Sequence, residues 1–257
     1  MIVEFAAKGS ALSPGGLDEA AQAAGVGAPE IWSLLAVETS GCGFLPDRRS
    51  KLLFERHIFH RLTGGRFDAE DADVSQPTAG GYGPGGAHQY DRLAAAISLD
   101  RDAALQSASW GLGQIMGMNF QAAGFDSVED MVAAMVESED RQLLATAKFI
   151  KRQHGMADAL KNHDWKAFAR TYNGPDYAAH NYDGHLDHFF QLYSDGNMPD
   201  LNIRAAQIYL TYKGFNPGPV DGVKGRLTEA AVGNFQRSIR VQATGVIDDE
   251  LIAQLLS

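Results

Sequence analysis

The stretch Ala28-Pro-Glu-Ile-Trp-Ser-Leu-Leu-Ala-Val-Glu38 predicts an apolar helix that ends on a carboxylate. Its apolar residues recur at helical spacing, and Gly41 and Gly43 follow as signals that end the helix. A glutamate in this position is expected to be half-buried beside a glycine-rich turn. Because burial raises the pKa of a carboxyl, Glu38 is a candidate general acid that stays protonated near neutral pH.

Most of the remaining first 200 residues are also predicted to be helical, so we expect a mainly α fold. Residues 64–89 are rich in Gly, Asp and Pro and are predicted to form a long surface loop. The segment Leu52-Leu-Phe54 fits the start of a helix and also a short strand. The other predicted helices cover residues 17–24, 52–62, 90–97, 101–108, 113–122, 128–137, 139–154, 156–162, 165–172 and 180–193.

A polar, turn-rich segment, Ser194-Asp-Gly-Asn-Met-Pro-Asp200, predicts a domain boundary. The charge changes at the same place, because six basic and five acidic residues follow Asp200 in a chain whose net charge is -10. We therefore expect two domains with different surfaces, residues 1–195 and residues 201–257. The second is predicted to contain three helices and is called the tail below.

Composition excludes several classes of function. A chain this acidic lacks the basic stripe that nucleic-acid binding requires, so no nucleic-acid partner is expected. Cys42 is the only cysteine, so no intramolecular disulfide can form. The first residues show no secretory signal, and no run of about 18 apolar residues occurs. Synthesis in the cytoplasm without membrane insertion is therefore expected.

Two further segments carry residues suited to binding a sugar chain. Ser109-Trp-Gly-Leu-Gly-Gln-Ile-Met-Gly117 contains glycines that permit close approach, and Gln114 offers both hydrogen-bond donors and acceptors. Arg170-Thr-Tyr-Asn-Gly174 places the ring of Tyr172 and the amide of Asn173 before a Gly-Pro turn. Taken singly, the first segment also fits a packing corner, and the second also fits a simple turn.

In this order the three segments resemble the Glu-Ser-x-Gly, Gly-Leu-x-Gln-Ile and Ala-Tyr-Asn-x-Gly motifs of the lysozyme-like superfamily of soluble lytic transglycosylases and goose-type lysozymes. The chain departs from that pattern at Gly113, where Met is usual, and at the Arg-Thr pair before Tyr172. It resembles more closely the N-acetylmuramidase domain of bacteriophage endolysins, which shares Leu53-Phe-Glu-Arg-His57 and residues 109–117. This resemblance spans roughly residues 17–193. It implies a lysozyme-like fold that hydrolyses the β-1,4 bond between N-acetylmuramic acid and N-acetylglucosamine.

The same resemblance implies roles for individual residues. Glu38 is then the general acid, and Glu55 is the first candidate for a base that activates water, with Asp47 second. Retention, inversion and assistance by the substrate's own acetamido group all stay open, and the last would make Glu55 structural. A lytic transglycosylase acting on the same bond is an alternative. The residues expected to bind the glycan are Ser109, Gln114, Tyr172 and Asn173.

The histidines give little indication of a metal site. His57 and His60 are three residues apart, and His180, His185 and His188 lie close together in sequence. Neither group adds a further ligand at a recognisable spacing. We therefore expect no metal and no cofactor.

The tail reads as helix, glycine-rich loop, helix, turn and short helix, and Thr228 is predicted to cap its second helix. Its Asp-Gly-x-x-Gly-x-x-Thr and Ala-Val-x-x-Phe-Gln elements resemble the peptidoglycan-binding type 1 domain. That resemblance implies wall binding by the loop around Asp221 and Gly222. Peptidoglycan is therefore the expected partner of the chain.

Resemblance to phage endolysins also implies a setting. The chain is expected to be a monomer that accumulates in the host cytoplasm and reaches the wall after a holin opens the membrane. A non-catalytic wall-binding phage protein and a chitinase are the alternatives from the sequence.

Overall fold

The computed structural model describes residues 4–38 and 41–257, apart from the side chain of Asp176. The described residues are mainly α-helical, as predicted, with one three-stranded antiparallel sheet. The strands are β1 (Leu52–Phe54), β2 (Ala108–Trp110) and β3 (Ile115–Met116). The helices are α1 (Pro14–Ala24), α2 (Ala28–Glu38), α3 (Arg56–Thr63), α4 (Gln89–Leu99), α5 (Arg101–Gln106), α6 (Phe120–Ala123), α7 (Val128–Glu137), α8 (Glu139–Arg152), α9 (Met156–Lys161), α10 (Trp165–Asn173), α11 (Tyr182–Ser194), α12 (Leu201–Tyr212), α13 (Arg226–Ser238) and α14 (Asp249–Leu256).

The described residues group into two compact units. The sheet unit contains residues 4–9 and 43–153, and the helical unit contains residues 10–38, 41–42 and 154–257. The tail shares the helical unit with α1 and α2, so these units do not follow the predicted boundary at residues 195–201. None of the helices in the described part of the chain is long and apolar enough to cross a membrane.

The sheet unit is organised around a short antiparallel hairpin. Leu53 on β1 lies opposite Ser109 on β2, which lies opposite Met116 on β3. Of the two structures that Leu52-Leu-Phe54 fitted, the strand is confirmed, and α3 follows it after one residue. The largest fully buried side chains of the unit are Phe44, Phe54, Phe59, Leu93, Leu105, Trp110 and Leu112, with Met131 and Met135.

The helix predicted over residues 113–122 is wrong. Gly111 and Gln114 adopt positive φ angles of 69° and 47°, and the Gln114 N–H donates to the Gly111 carbonyl. This turn reverses the chain from β2 into β3, and the predicted range becomes helical only after β3, in a short 3₁₀ helix (Gly117–Asn119) and in α6. The apolar spacing of this segment therefore reflects a buried turn rather than a helix face.

Gln142 on α8 joins separate parts of the sheet unit. Its side chain is fully buried, its Oε1 accepts from the Leu112 N–H at 2.8 Å, and its Nε2 donates to the Met135 carbonyl at 2.6 Å. Buried backbone groups that lose such partners keep the full cost of leaving water. Gln142 therefore stabilises the turn between β2 and β3 from beneath.

Replacing Gln142 by Leu is expected to lower the free energy of unfolding by about 2–4 kcal/mol, because the Leu112 N–H and the Met135 carbonyl lose their partners inside the core. Urea unfolding followed by circular dichroism measures the change. The matched control is Gln191→Leu on the exposed face of α11, which is expected to change stability by less than about 0.5 kcal/mol. Equal stability of the two variants would contradict this role for Gln142.

In the helical unit, α2 packs along α11 and against α1, and α10 packs against α9 and α11. Pro14 begins α1 and Ser13 caps it by accepting from the Gly16 N–H at 3.0 Å, so the helix begins three residues before the predicted start. Residues 31–35 of α2 are buried on all sides, while residues 36–38 are partly exposed. The buried side chains of this part include Ile31, Trp32, Leu34, Phe168 and Leu186.

The tail forms the three predicted helices, α12, α13 and α14. Ala231, Val232 and Phe235 are buried, as predicted from their spacing. The predicted cap at Thr228 is wrong, because α13 begins two residues earlier, at Arg226. The Thr228 hydroxyl instead donates to the Pro217 carbonyl at 2.9 Å and closes the preceding loop.

Candidate active site

Glu38 is the last residue of α2, at the point where its apolar side ends. Its side chain is half-buried, and its Oε1 accepts a hydrogen bond of 2.7 Å from Nδ2 of Asn173. Burial raises the pKa of the Glu38 carboxyl, and the hydrogen bond from Asn173 lowers it by a smaller amount. The Glu38 carboxyl therefore keeps its proton to a higher pH than an exposed glutamate does.

The end of α10 supplies the groups around this carboxyl. Tyr172 stacks on Phe168, and burial and then the charge of Glu38 hold the pKa of the Tyr172 hydroxyl well above its usual range. Burial and the same charge also raise the pKa of Tyr182, at the start of α11. Three predicted site residues, Glu38, Tyr172 and Asn173, thus come together in the helical unit.

Tyr182 is a neighbour of Glu38 that the sequence prediction missed. It begins α11 nine residues after Asn173 and belongs to none of the motifs. Its only sequence signal is that an aromatic residue begins a helix close after the Tyr-Asn pair. Many tyrosines that line no site share that feature, so only the packing of α11 on α2 reveals its position.

The predicted site residues of the sheet unit lie on its hairpin or beside it. The Ser109 hydroxyl donates to Gln114 Oε1 at 3.0 Å, and Gln114 Nε2 donates to the Gly111 carbonyl at 2.8 Å. Leu53 lies opposite Ser109 in the sheet. Glu55 follows β1 directly, and its backbone N–H donates to the Ser107 carbonyl at 2.9 Å. The Glu55 carboxylate therefore comes from the residue between β1 and α3, beside the hairpin that carries Ser109 and Gln114.

Glu55 lies between β1 and α3 with a histidine beside it. Its Oε2 is 3.2 Å from Nδ1 of His57, and neither atom makes a well-formed hydrogen bond to any described residue. Tyr82, from the glycine-rich loop, also approaches it, and burial and then the Glu55 charge raise the pKa of the Tyr82 hydroxyl. The Oε2 atom of Glu55 is thus buried beside His57.

Comparisons with known proteins agree with this arrangement. The family model described as N-acetylmuramidase matches residues 27–194, which is more than half of the chain. The chain belongs to the N-acetylmuramidase family. A second family model, described as a putative peptidoglycan binding domain, matches residues 199–255. The muramidase is therefore a peptidoglycan hydrolase with a peptidoglycan-binding tail.

A solved structure is similar to this muramidase. The crystal structure of the Burkholderia AP3 phage endolysin is 37% identical in sequence, with a TM-score of 0.68 over 72% of each chain. No curated protein sequence matches the muramidase. The solved structure and the two family models together identify the chain as a cell-wall-hydrolysing endolysin.

Asp47, the second candidate for a base in the muramidase, is tied to an arginine. Its carboxylate accepts from Arg49 Nε at 2.8 Å and from the Arg49 backbone N–H at 3.1 Å. Partial burial raises the pKa of Asp47, but the hydrogen bonds and charge of Arg49 outweigh that effect and lower it. Both carboxylate oxygens of Asp47 therefore already accept hydrogen bonds from Arg49.

In the tail of the muramidase, Asp221 and Gly222 are held by Gln207. The Gln207 Oε1 accepts from both of their backbone N–H groups, and Nε2 donates to Asp221 Oδ1 at 3.0 Å. Gly222 has a φ of 72°, and a Cβ there would lie 2.7 Å from Pro199 Cβ. These contacts give both residues a part in shaping the loop.

Among the described residues of the muramidase, no group of three or more His, Cys, Asp and Glu is arranged to hold a metal ion. His60 Nδ1 instead lies 2.9 Å from Asp68, whose Oδ1 accepts from the Ser75 hydroxyl. This pairing fastens α3 to the loop that follows it.

Replacing Asn173 by Leu is expected to raise the pKa of Glu38. The substitution removes a donor that stabilises the carboxylate, and the apolar side chain that replaces it offers no hydrogen bond in return. Titration of ¹³C-labelled glutamate carboxyls by NMR measures the shift. Asn162→Leu, at an exposed position, is expected to leave the Glu38 pKa unchanged. A fall in the pKa in Asn173→Leu would contradict the assignment of Asn173 as the stabilising donor.

Proposed function

We propose that this muramidase hydrolyses the β-1,4 bond between N-acetylmuramic acid and N-acetylglucosamine, with Glu38 as the general acid. The observation that carries the proposal is the half-buried Glu38 carboxyl, whose pKa is raised by burial and whose Oε1 faces the Asn173 amide. A raised pKa favours the protonated form of the carboxyl, which is the form that can protonate a leaving oxygen.

In the proposed reaction, Glu38 gives its proton to the glycosidic oxygen as the bond from that oxygen to the sugar carbon breaks. Positive charge develops on the sugar ring, and a water molecule attacks that carbon and loses a proton to a base. The Asn173 amide then donates to the newly formed Glu38 carboxylate and stabilises it. The hydrogen bond thus strengthens as the reaction proceeds, which is the condition for it to favour the transition state.

We infer that Glu55 is the base that takes the proton from water. Its support is a carboxylate whose Oε2 makes no well-formed hydrogen bond to a described residue. Asp47 is the weaker candidate, because Arg49 occupies both of its oxygens. The residues proposed to bind the glycan are Ser109 and Gln114 of the sheet unit and Tyr172 and Asn173 of the helical unit.

The tail is proposed to act as a second, wall-binding domain over residues 201–257, beside a catalytic domain over residues 1–195. Its loop at Asp221 and Gly222 is the proposed contact with the wall. Attachment there raises the local concentration of glycan at the catalytic residues. We propose in addition that the enzyme is a monomer, accumulates in the host cytoplasm and depends on a holin for release.

Glu38→Gln is expected to reduce lysis of purified walls by about 10²–10⁴-fold without reducing sedimentation with them, because the amide has no proton to give but keeps the shape of the side chain. Mass spectrometry of a wild-type digest is expected to show products that each contain one added water. Anhydro products, lighter by that water, would identify a lytic transglycosylase. Activity retained in Glu38→Gln would contradict the assignment of the acid.

Glu55→Gln is expected to reduce turnover by about 10²–10⁴-fold, because water then has no base. Asp47→Asn is the matched control and is expected to keep most of the activity. If Glu55 acts directly on water, the configuration inverts, and ¹H NMR of a fresh digest shows the α-anomer first. Release of the β-anomer first would contradict the role of Glu55 as a base for direct attack.

A further inference from the structure

The tail contacts Gly41 through a buried arginine. Arg204 on α12 is only 2% exposed, and its Nη2 donates to the Gly41 carbonyl at 2.8 Å. Gly41 lies three residues after Glu38 in sequence. Burying a guanidinium costs free energy, and the cost rises when one of its hydrogen bonds is lost. The hydrogen bond to Gly41 is therefore expected to persist.

A second part of the tail closes on the same residue. Gly41 has a φ of 97°, and a Cβ placed on it would lie 2.9 Å from the Val220 carbonyl oxygen and 3.0 Å from Val220 Cβ. Both the backbone angle and the close approach therefore require glycine at this position. The loop that precedes Asp221 and the guanidinium of Arg204 hold Gly41 from two directions.

The tail also contacts the helices that support Glu38. The Tyr209 hydroxyl on α12 accepts from the Ala11 N–H at 3.0 Å, just before α1. A cavity of about 210 Å³ has walls from α2, α11 and the tail, including Trp32, Tyr193 and Pro219. Trp32 is one and a half turns before Glu38 on the same helix. The tail therefore faces α2 and α11 across this cavity.

We propose that the tail positions the catalytic acid in addition to binding the wall, and that Arg204 is the positioning residue. By fixing Gly41, Arg204 fixes the end of α2 and hence the direction in which Glu38 presents its proton. The inference rests on the proposed function only in taking Glu38 as the acid. Arg204 itself touches neither the substrate nor the reacting atoms.

Positioning and attachment make different kinetic predictions. Attachment to the wall raises the local concentration of substrate, so its loss weakens binding to walls and leaves a short soluble glycan unaffected. Positioning of an acid changes the rate of bond breaking, and a misplacement of about 1 Å costs up to about 10²-fold. A soluble glycan too short for attachment therefore isolates the positioning effect in kcat.

The test compares full-length variants on a short soluble peptidoglycan strand. Arg204→Met keeps the length of the side chain but removes every donor, and it is expected to lower kcat about 10–100-fold with KM and wall sedimentation unchanged. Arg204→Lys retains a donor and is expected to recover most of the rate. Arg226→Met, at an exposed position in the same tail, is the matched control with wild-type kcat.

A wild-type kcat in folded Arg204→Met would overturn the inference. Should Arg204→Met melt below the assay temperature, Gly41→Ala disturbs the same turn from the Val220 side, and an unchanged kcat there overturns the inference equally. Glu38→Gln in the same assay distinguishes a failure of the proposed function from a failure of the positioning role. Activity in Glu38→Gln removes the proposed function, whereas an inactive Glu38→Gln beside a fully active Arg204→Met removes the positioning role alone.

Discussion

The hydrogen bond between Asn173 and Glu38 is the interaction on which the rest of the site depends. An acid catalyst must hold a proton before the bond breaks and must be stable without it afterwards. Burial favours the first state and the amide donor favours the second, and burial has the larger effect on the Glu38 pKa. The 2.7 Å contact therefore sets the compromise between the two states.

This contact joins residues separated by 135 positions in the chain, so it exists only when the helical packing is complete. Glu38 ends α2 and Asn173 ends α10, and both of these helices pack on α11. The apolar side chains that bury α2 thus have two consequences. They stabilise the fold, and by removing water from the last turn of α2 they raise the pKa of its carboxyl.

The sequence predicted those features that follow from local pattern. Residues 28–38 show helical spacing and a glycine stop, and α2 has those bounds. The turn at Gly111 and Gln114 was missed because its positive φ angles leave the apolar spacing unchanged. Tyr182 was missed because its nearness to Glu38 comes from the packing of α11, which no local pattern records. Family resemblance supplied the roles that spacing alone left open.

The tail shows why a domain boundary in sequence need not be a boundary in packing. The charge change and turn residues near Asp200 predict a linker, and the family models also divide there, at residues 194 and 199. Asp200 nevertheless caps α12 through the Ile203 N–H, and its own N–H donates to the Gly222 carbonyl. A flexible linker would only raise the local concentration of glycan near the catalytic residues. A buried Arg204 that donates to Gly41 can in addition position Glu38, as proposed above. Val220 packs against Gly41 and is followed by Asp221, so the loop that we propose contacts the wall is one residue from the contact between the tail and Gly41.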